Sequence, residues 1–267
     1  MVQCGSAFTA AGGTNDGGST DAGSDGPNWC ATQAAQAKFI LCSDFDLDDT
    51  AVAQNFGAGV AAVPAGSDSG TMQFETTAYQ SPPRGAASHA NAFGDAEGPA
   101  GMVLVGGLWD PSVSLPTSVT CELQWYPVEL STSAGDGAEV ASIFAFSGPK
   151  ANGVEQIELS LYVEAGGKLH TFERYPGSAL MDTTHDFINA KATTNMWHSV
   201  TIALSAIGQM QAAYAVTVDG EQVTNPFKVP VPLQGFANFA VGANDNNNRP
   251  GVASTGWTFD YDNVICR

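Results

Sequence analysis

From residue 72 onward, apolar and polar residues alternate with a period near two, where a helix would show a period of roughly 3.6. Val119, Cys121, Leu123 and Trp125 share one phase, and Ser118, Thr120, Glu122 and Gln124 share the other. The cleanest case sets Ile157, Leu159, Leu161 and Val163 against Glu158, Ser160, Tyr162 and Glu164. Successive side chains of a strand point to opposite faces, so each run predicts a half-buried strand. Gly166-Gly167 predicts a hairpin turn, with 169–175 as the returning strand. Val200, Ile202 and Leu204 alternate in the same way, as do Tyr214, Val216 and Val218, after which Asp219-Gly220 supplies a tight turn. Further strands are expected over 72–79, 102–108, 140–146, 236–241 and 257–265. Ile143, Phe144 and Phe146 cannot all face one side, which makes 140–146 either a central strand covered on both faces or a bulged one.

Many strands with Gly, Pro and Asn-rich breaks, and few helical patterns between them, define the class as all-β. The expected architecture is a two-sheet antiparallel β-sandwich of jelly-roll type. The stretch 31–38 could form a short helix, but its apolar face is nearly all alanine and would pack weakly. From Gly5 to Pro27 every residue except Phe8 is Gly, Ser, Thr, Ala, Asn, Asp or Pro. Such a tract buries too little apolar surface to offset chain entropy. Residues 1–28 are therefore expected to be a flexible leader or tether, and 29–267 the sandwich domain.

The chain has 267 residues, 43% of them apolar, which is enough for one large core. Nine Lys and Arg against 27 Asp and Glu give a net charge of -18. That surface repels phosphate backbones and anionic lipid, which argues against nucleic acid and peripheral membrane partners. No apolar run reaches the length of a transmembrane helix, and Met1-Val2-Gln3 is too short to hold a signal peptide's apolar segment. The five cysteines form no CxxC pair and the four histidines are scattered, so zinc is disfavoured. Disulfides in an oxidising, extracytoplasmic compartment account for them better. The preferred pairing is Cys30 with Cys42 and Cys121 with Cys266, although spacing alone leaves the connectivity open. Cys4, followed by Gly5-Ser6 and the polar tract, is a candidate lipidation site of a bacterial lipoprotein, against the plainer reading of a cysteine near a mobile end.

Candidate chemistry is sparse. Asp44-Phe-Asp-Leu-Asp-Asp49 resembles a cation loop but lacks the Gly and Glu that an EF-hand needs, and it fits an edge strand with Phe45 and Leu47 turned inward. Asp44, Asp46 and Asp262 are the candidate ligands of a possible calcium. Asn244-Asp-Asn-Asn-Asn248 offers oxygens to calcium or to sugar hydroxyls, or is an exposed turn. Asn244, Asp245 and Asn246 are named with Trp109, Asp110 and Tyr126 as ligand-binding candidates. Sugar rings stack on aromatic faces while Asn and Asp take hydroxyls. The alternation assigns Trp125 to the core and Tyr126 to the outside. No Glu-x-Asp-x-Glu run is present, and Glu158 and Glu164 read as residues that solvate the outer face of a sheet. His198 has no Ser, Cys or Asp constellation pointing to it and reads as structural. Gly106-Gly107 belongs to no phosphate-binding motif.

Several segments are similar to the concanavalin A-like lectin/glucanase superfamily, especially its laminin-G-like members. They are Trp197-His-Ser-Val-Thr-Ile-Ala-Leu204, Ala215-Val-Thr-Val-Asp-Gly220, Phe239-Ala-Val-Gly242 and the closing Phe259-Asp-Tyr-Asp-Asn-Val-Ile265. Leu41-Cys-Ser-Asp-Phe-Asp46 resembles the opening strand of bacterial secreted members, which pairs with the closing one. The resemblance covers about the last third of the chain and that opening. It implies a jelly roll that often carries calcium and often binds carbohydrate or protein, while the glucanase branch's catalytic run is missing.

The combined expectation is a non-catalytic extracellular or cell-surface domain that recognises neutral carbohydrate. A structural or adhesion protein binding another protein is the first alternative, and a divergent glycoside hydrolase or lyase the second. Trp197 is expected to anchor the core, Cys121–Cys266 to tie the last strand to its sheet, and the two chain ends to meet at paired edge strands.

Overall fold

The computed structural model describes residues 30, 41–43, 45, 57–63, 70–75, 79–80, 85–92, 101–107, 117–132, 140–147, 158–174, 183–206, 209, 211–227, 238–245 and 255–267. One sheet of eight strands joins β1 (Leu41–Ser43), β3 (Gly70–Glu75), β4 (Gly85–Ala90), β6 (Val119–Glu129), β11 (His198–Ser205), β12 (Ala213–Val218), β13 (Glu221–Pro226) and β15 (Trp257–Cys266). Its order is β13-β12-β11-β6-β15-β4-β3, with β1 pairing β15 off that path. The other sheet, of seven, joins β2 (Gly57–Val63), β5 (Gly101–Gly107), β7 (Val140–Ser147), β8 (Glu158–Glu164), β9 (Lys168–Arg174), β10 (Thr183–Lys191) and β14 (Asn238–Asp245) in the order β10-β9-β8-β7-β14-β5-β2. The described pairings are antiparallel throughout. The chain is an all-β two-sheet sandwich.

Alternation decides which face of each strand is buried. Cys121, Leu123 and Trp125 of β6 meet Val200, Ile202 and Leu204 of β11 on the inner side of the eight-stranded sheet. Leu159, Leu161 and Val163 of β8, with Phe146 of β7 and Phe239 of β14, line the inner side of the other. Each such side chain removed from water contributes on the order of 1.5–3 kcal/mol, so this shared layer is what holds the sheets together. Buried polar contacts also cross it, among them the hydroxyls of Thr171 and Tyr214, 3.3 Å apart. The Tyr261 hydroxyl donates to the Ile143 carbonyl at 2.9 Å, and the Ala243 N–H donates to Ser88 Oγ at 2.8 Å. The conflict over 140–146 is resolved by a register shift between Ser142 and Phe144, which lets Ile143, Phe144 and Phe146 all be buried.

Both predicted turns form. Gly167, at φ 85°, needs its lack of a side chain twice over, because a Cβ there would lie 2.5 Å from the Ala192 carbonyl oxygen. Asp219 and Gly220 both take positive φ between β12 and β13. Both preferred disulfides are present, Cys30–Cys42 and Cys121–Cys266, and the second joins residues directly opposite each other on β6 and β15. These bridges fit an extracytoplasmic protein. They leave Cys4 out, and they lend no support to a lipid there. Cys4 and the rest of the expected leader lie outside the described residues, as does the helix considered over 31–38. No helix among the described residues is long and apolar enough to cross a membrane.

Two expectations are corrected. The opening and closing strands do pair, but β15 is internal: β6 runs along one edge, and β4 and then β1 along the other. Trp197 does not anchor the core. Its neighbour His198 is in phase with Val200, Ile202 and Leu204 and is fully buried, so Trp197 turns outward, half-buried, against the Tyr126 ring at 5.1 Å. Phe45 is buried, as expected, while the rest of 44–49 lies outside the described residues.

Candidate functional site

The register of the β8–β9 hairpin sets Glu158 opposite Arg174, Ser160 opposite Phe172, Tyr162 opposite His170 and, one step off this phase, Val163 opposite Leu169. Leu159, Leu161, Val163 and Leu169 belong to the core, so the intervening Glu158, Ser160, Tyr162, Glu164, His170, Phe172 and Arg174 face outward. One row of backbone partners then runs across the sheet through Asp186, His170, Tyr162, Ser142, Asn244 and Gly101.

This outer face is a connected polar and aromatic cluster. Glu158 Oε1 accepts the Ser160 hydroxyl at 2.5 Å and the Tyr162 hydroxyl at 3.2 Å, and Oε2 lies 3.7 Å from the Arg174 guanidinium. The same guanidinium lies over the Phe172 ring at 5.1 Å, and that ring meets Tyr162 edge-on. The His170 and Tyr162 ring centres are 5.6 Å apart. Glu164 Oε1 comes within 3.4 Å of His170 Nδ1 and 3.9 Å of Lys168 Nζ, and Lys168 also pairs with Asp186 at 2.8 Å. The Nδ1–Glu164 approach is of ion-pair length but lacks hydrogen-bond geometry. Tyr162 and His170 are only 4% and 6% exposed although they point away from the core. Burial pushes the His170 imidazole below its ordinary value; Glu164 and Asp186 pull the other way and do not win. A neutral, oriented imidazole beside a phenol is equipped to take one proton and give another.

Glu158 and Glu164 therefore do more than solvate the sheet: they hold the groups beside them. The alternation assigned both to the outer face, but His170, Tyr162 and Arg174 were not singled out. The predicted two-residue turn at Gly166-Gly167 would set 163 opposite 170; the observed register is centred on Gly166, and that one-residue difference is what brings Tyr162 opposite His170.

The residues named from sequence separate. Asn244 joins the row just described, and its Oδ1 is buried without a hydrogen bond. Asp245 pairs with Ala141 through its backbone. Tyr126 is half-exposed on the opposite sheet, with Trp125 in the core as assigned. Trp109, Asp110 and Asn246 lie outside the described residues, as do Asp44 and Asp46. Asp262 is buried, its carboxylate accepting the Gln80 and Asn263 backbone N–H groups at 2.6 and 2.7 Å. Among the described residues no group of three or more His, Cys, Asp or Glu is placed to hold a metal. His198 is structural: Nδ1 meets Asp219 Oδ2 at 2.6 Å, and Nε2 accepts the Thr193 N–H at 3.0 Å.

No family model matches the chain, and no curated protein matches it in sequence. Its fold, however, is similar to that of polysaccharide lyases of known structure. A marine PL-14 alginate lyase from Aplysia kurodai superposes with a TM-score of 0.58 at 12% identity, covering 86% of this chain and 99% of that one. An endo-β-1,4-glucuronan lyase from the fungus Trichoderma reesei gives 0.55 at 11% identity, covering 74% and 87%. An alginate lyase from Chlorella virus gives 0.52 at 11% identity, covering 86% and 99%. At such identities the likeness establishes the jelly-roll fold, and it is not specifically to lectins or glucanases. The expectation of a non-catalytic domain is corrected by it: the fold is one that catalytic lyases also use, so it gives no ground for setting catalysis aside.

Proposed function

We propose that this chain is an extracytoplasmic polysaccharide lyase, with the outer face of the seven-stranded sheet as its substrate surface and a uronate-containing polymer as its substrate. The observation that carries this reading is the His170–Tyr162 pair, two proton-transfer groups side by side and shielded from bulk water. The lyase structures that share the fold supply the reaction class.

In that reaction neutral His170 takes the proton on the carbon next to the uronate carboxyl. The electron pair of that C–H bond becomes the new carbon–carbon double bond, and the bond from the adjacent carbon to the glycosidic oxygen breaks. Tyr162 turns its hydroxyl from Glu158 and donates its proton to the departing oxygen. Nine Lys and Arg serve the whole chain, and two of them, Lys168 and Arg174, stand on this face of β9 paired with Glu158, Glu164 and Asp186, so this cluster carries less of the acidic surplus than the chain as a whole. Hydrolysis by paired carboxylates has less support. The Glu158 and Glu164 backbones are about 20 Å apart along an extended strand, and the Tyr162 and His170 rings stand between the two carboxylates, whereas hydrolases need carboxyl groups about 5–9.5 Å apart.

The test is to incubate the full chain with alginate, polyglucuronate and a neutral glucan and follow the ultraviolet absorbance of unsaturated chain ends. Absorbance should rise with a uronate polymer only. His170→Asn and Tyr162→Phe should each lower kcat by about 100-fold or more, with the near-ultraviolet circular dichroism unchanged. No unsaturated product from either uronate polymer would overturn the proposal.

A further inference from the structure

The eight-stranded sheet has a hollow of its own, on the face away from the core and on the opposite side of the sandwich from His170. Two rows of partners frame it. Gln73, Ala87, Asp260 and Tyr126 run side by side across β3, β4, β15 and β6. Thr71, His89 and Thr258 run beside them. The cause of the hollow is Ala87, whose single methyl stands between two longer side chains and leaves a cavity of about 270 Å³. Val128, 39% exposed, forms an apolar wall.

The lining chemistry selects a class of ligand. Asp260 is almost fully buried yet borders the cavity, and a carboxylate is able to accept hydrogen bonds from hydroxyls. Gln73, Thr71, Thr258 and His89 can donate or accept, with His89 Nδ1 2.9 Å from Thr258 Oγ1. Among the described residues that line the space none is Lys or Arg, and a ligand carboxylate or phosphate would be brought up against the Asp260 carboxylate. Neutral hydroxyls fit. Next along the row, Tyr126 backed by Trp197 presents an aromatic surface of the kind that receives the apolar face of a sugar ring. The volume falls just below the roughly 300–1,000 Å³ of sites for drug-sized molecules, the scale of a single ring.

We infer that this hollow is a second carbohydrate site, which binds one neutral sugar unit of a glycan on the face opposite the uronate surface. It does not rest on the lyase reading, because it shares no residue with that site. A protein with both would hold a mixed polymer or a cell-wall glycan on one side while the other side works.

The experiment titrates the full-length, isotope-labelled chain with cellobiose, lactose and mannobiose and follows backbone amide resonances. At least one disaccharide should shift Thr71, Gln73, Ala87, His89 and Thr258 together. Ala87→Leu, which fills the hollow from the outside, should weaken that binding at least tenfold, and Gln73→Ala, at an exposed position, about threefold. Uronate cleavage should be unaltered in both variants. The inference fails if none of the three sugars moves those resonances, if binding survives Ala87→Leu in a folded protein, or if a diuronate binds there as tightly.

Discussion

Glu164, at the end of β8, holds a carboxylate oxygen 3.4 Å from Nδ1 of His170, which lies on the returning strand. The hairpin thus turns one ring nitrogen toward an acid. On the proposed function, the other is the one that would meet the substrate.

A pH profile should report this geometry. His170 is held below the ordinary imidazole value of 6.5, chiefly by burial, with Glu164 and Asp186 opposing and Lys168 adding to the depression. A reaction that needs the neutral ring loses its rate as the ring protonates, so the midpoint of the acid limb of kcat/KM should fall under 6.5. Glu164→Gln removes one of the opposing charges and should move that limb to still lower pH. A limb at or above the ordinary value would exclude His170 as the base.

The two disulfides should differ in worth. Cys121–Cys266 closes a separation of 145 residues, and Cys30–Cys42 one of 12. On loop-closure entropy the first contributes about 4–5 kcal/mol and the second about 3 kcal/mol. Urea denaturation of the two double-serine variants should show the larger fall in midpoint for the long loop, which also ties the final strand to β6.

Asp219 does two tasks at the end of β12: Oδ2 meets buried His198, and Oδ1 accepts the Ser199 N–H at 3.0 Å. Asp219→Ala leaves a buried imidazole nitrogen without its acceptor and puts a β-carbon residue at φ 48°. A loss of about 1–3 kcal/mol is expected. Asp219→Asn keeps an acceptor and tolerates that backbone, so it should lose less. Equal losses in equilibrium unfolding would contradict this account.

Glu221 on β13 reaches the irregular part of β10 and accepts the N–H groups of Ile188, Asn189 and Ala190 at 2.7, 2.9 and 2.5 Å. Burial acts to raise its carboxyl, but those three bonds outweigh it and hold the group below its ordinary 4.5. A carboxyl depressed on folding adds stability above its unfolded value and loses it as pH falls through the folded one. Glu221→Gln should therefore be less stable than the parent near neutrality and should show a flatter decline into acid. An unchanged acid limb in thermal unfolding at a series of pH values would count against it.

Strands with polarity contrast were legible from residue order. β6, β8, β11 and β12 alternate because one face meets oil and the other water, and Gly166-Gly167 and Asp219-Gly220 mark where the chain must turn. β2 and β4 went unread, since GAGVAAV and GAASHA carry too little contrast between alternate positions. β10 and β13 went unread too, being edge strands with much of their surface exposed. Their pairing is settled by their neighbours.

The sequence alone determined the class of fold, the phase of each amphipathic strand and the oxidising chemistry of its cysteines, because these follow from local period and composition. Only the tertiary structure decided that Tyr162 faces His170, that Trp197 turns outward in favour of His198, and that Ala87 opens a hollow beside Asp260. Those relationships depend on which residues stand opposite across strands, and register is set by the packing of the whole sandwich.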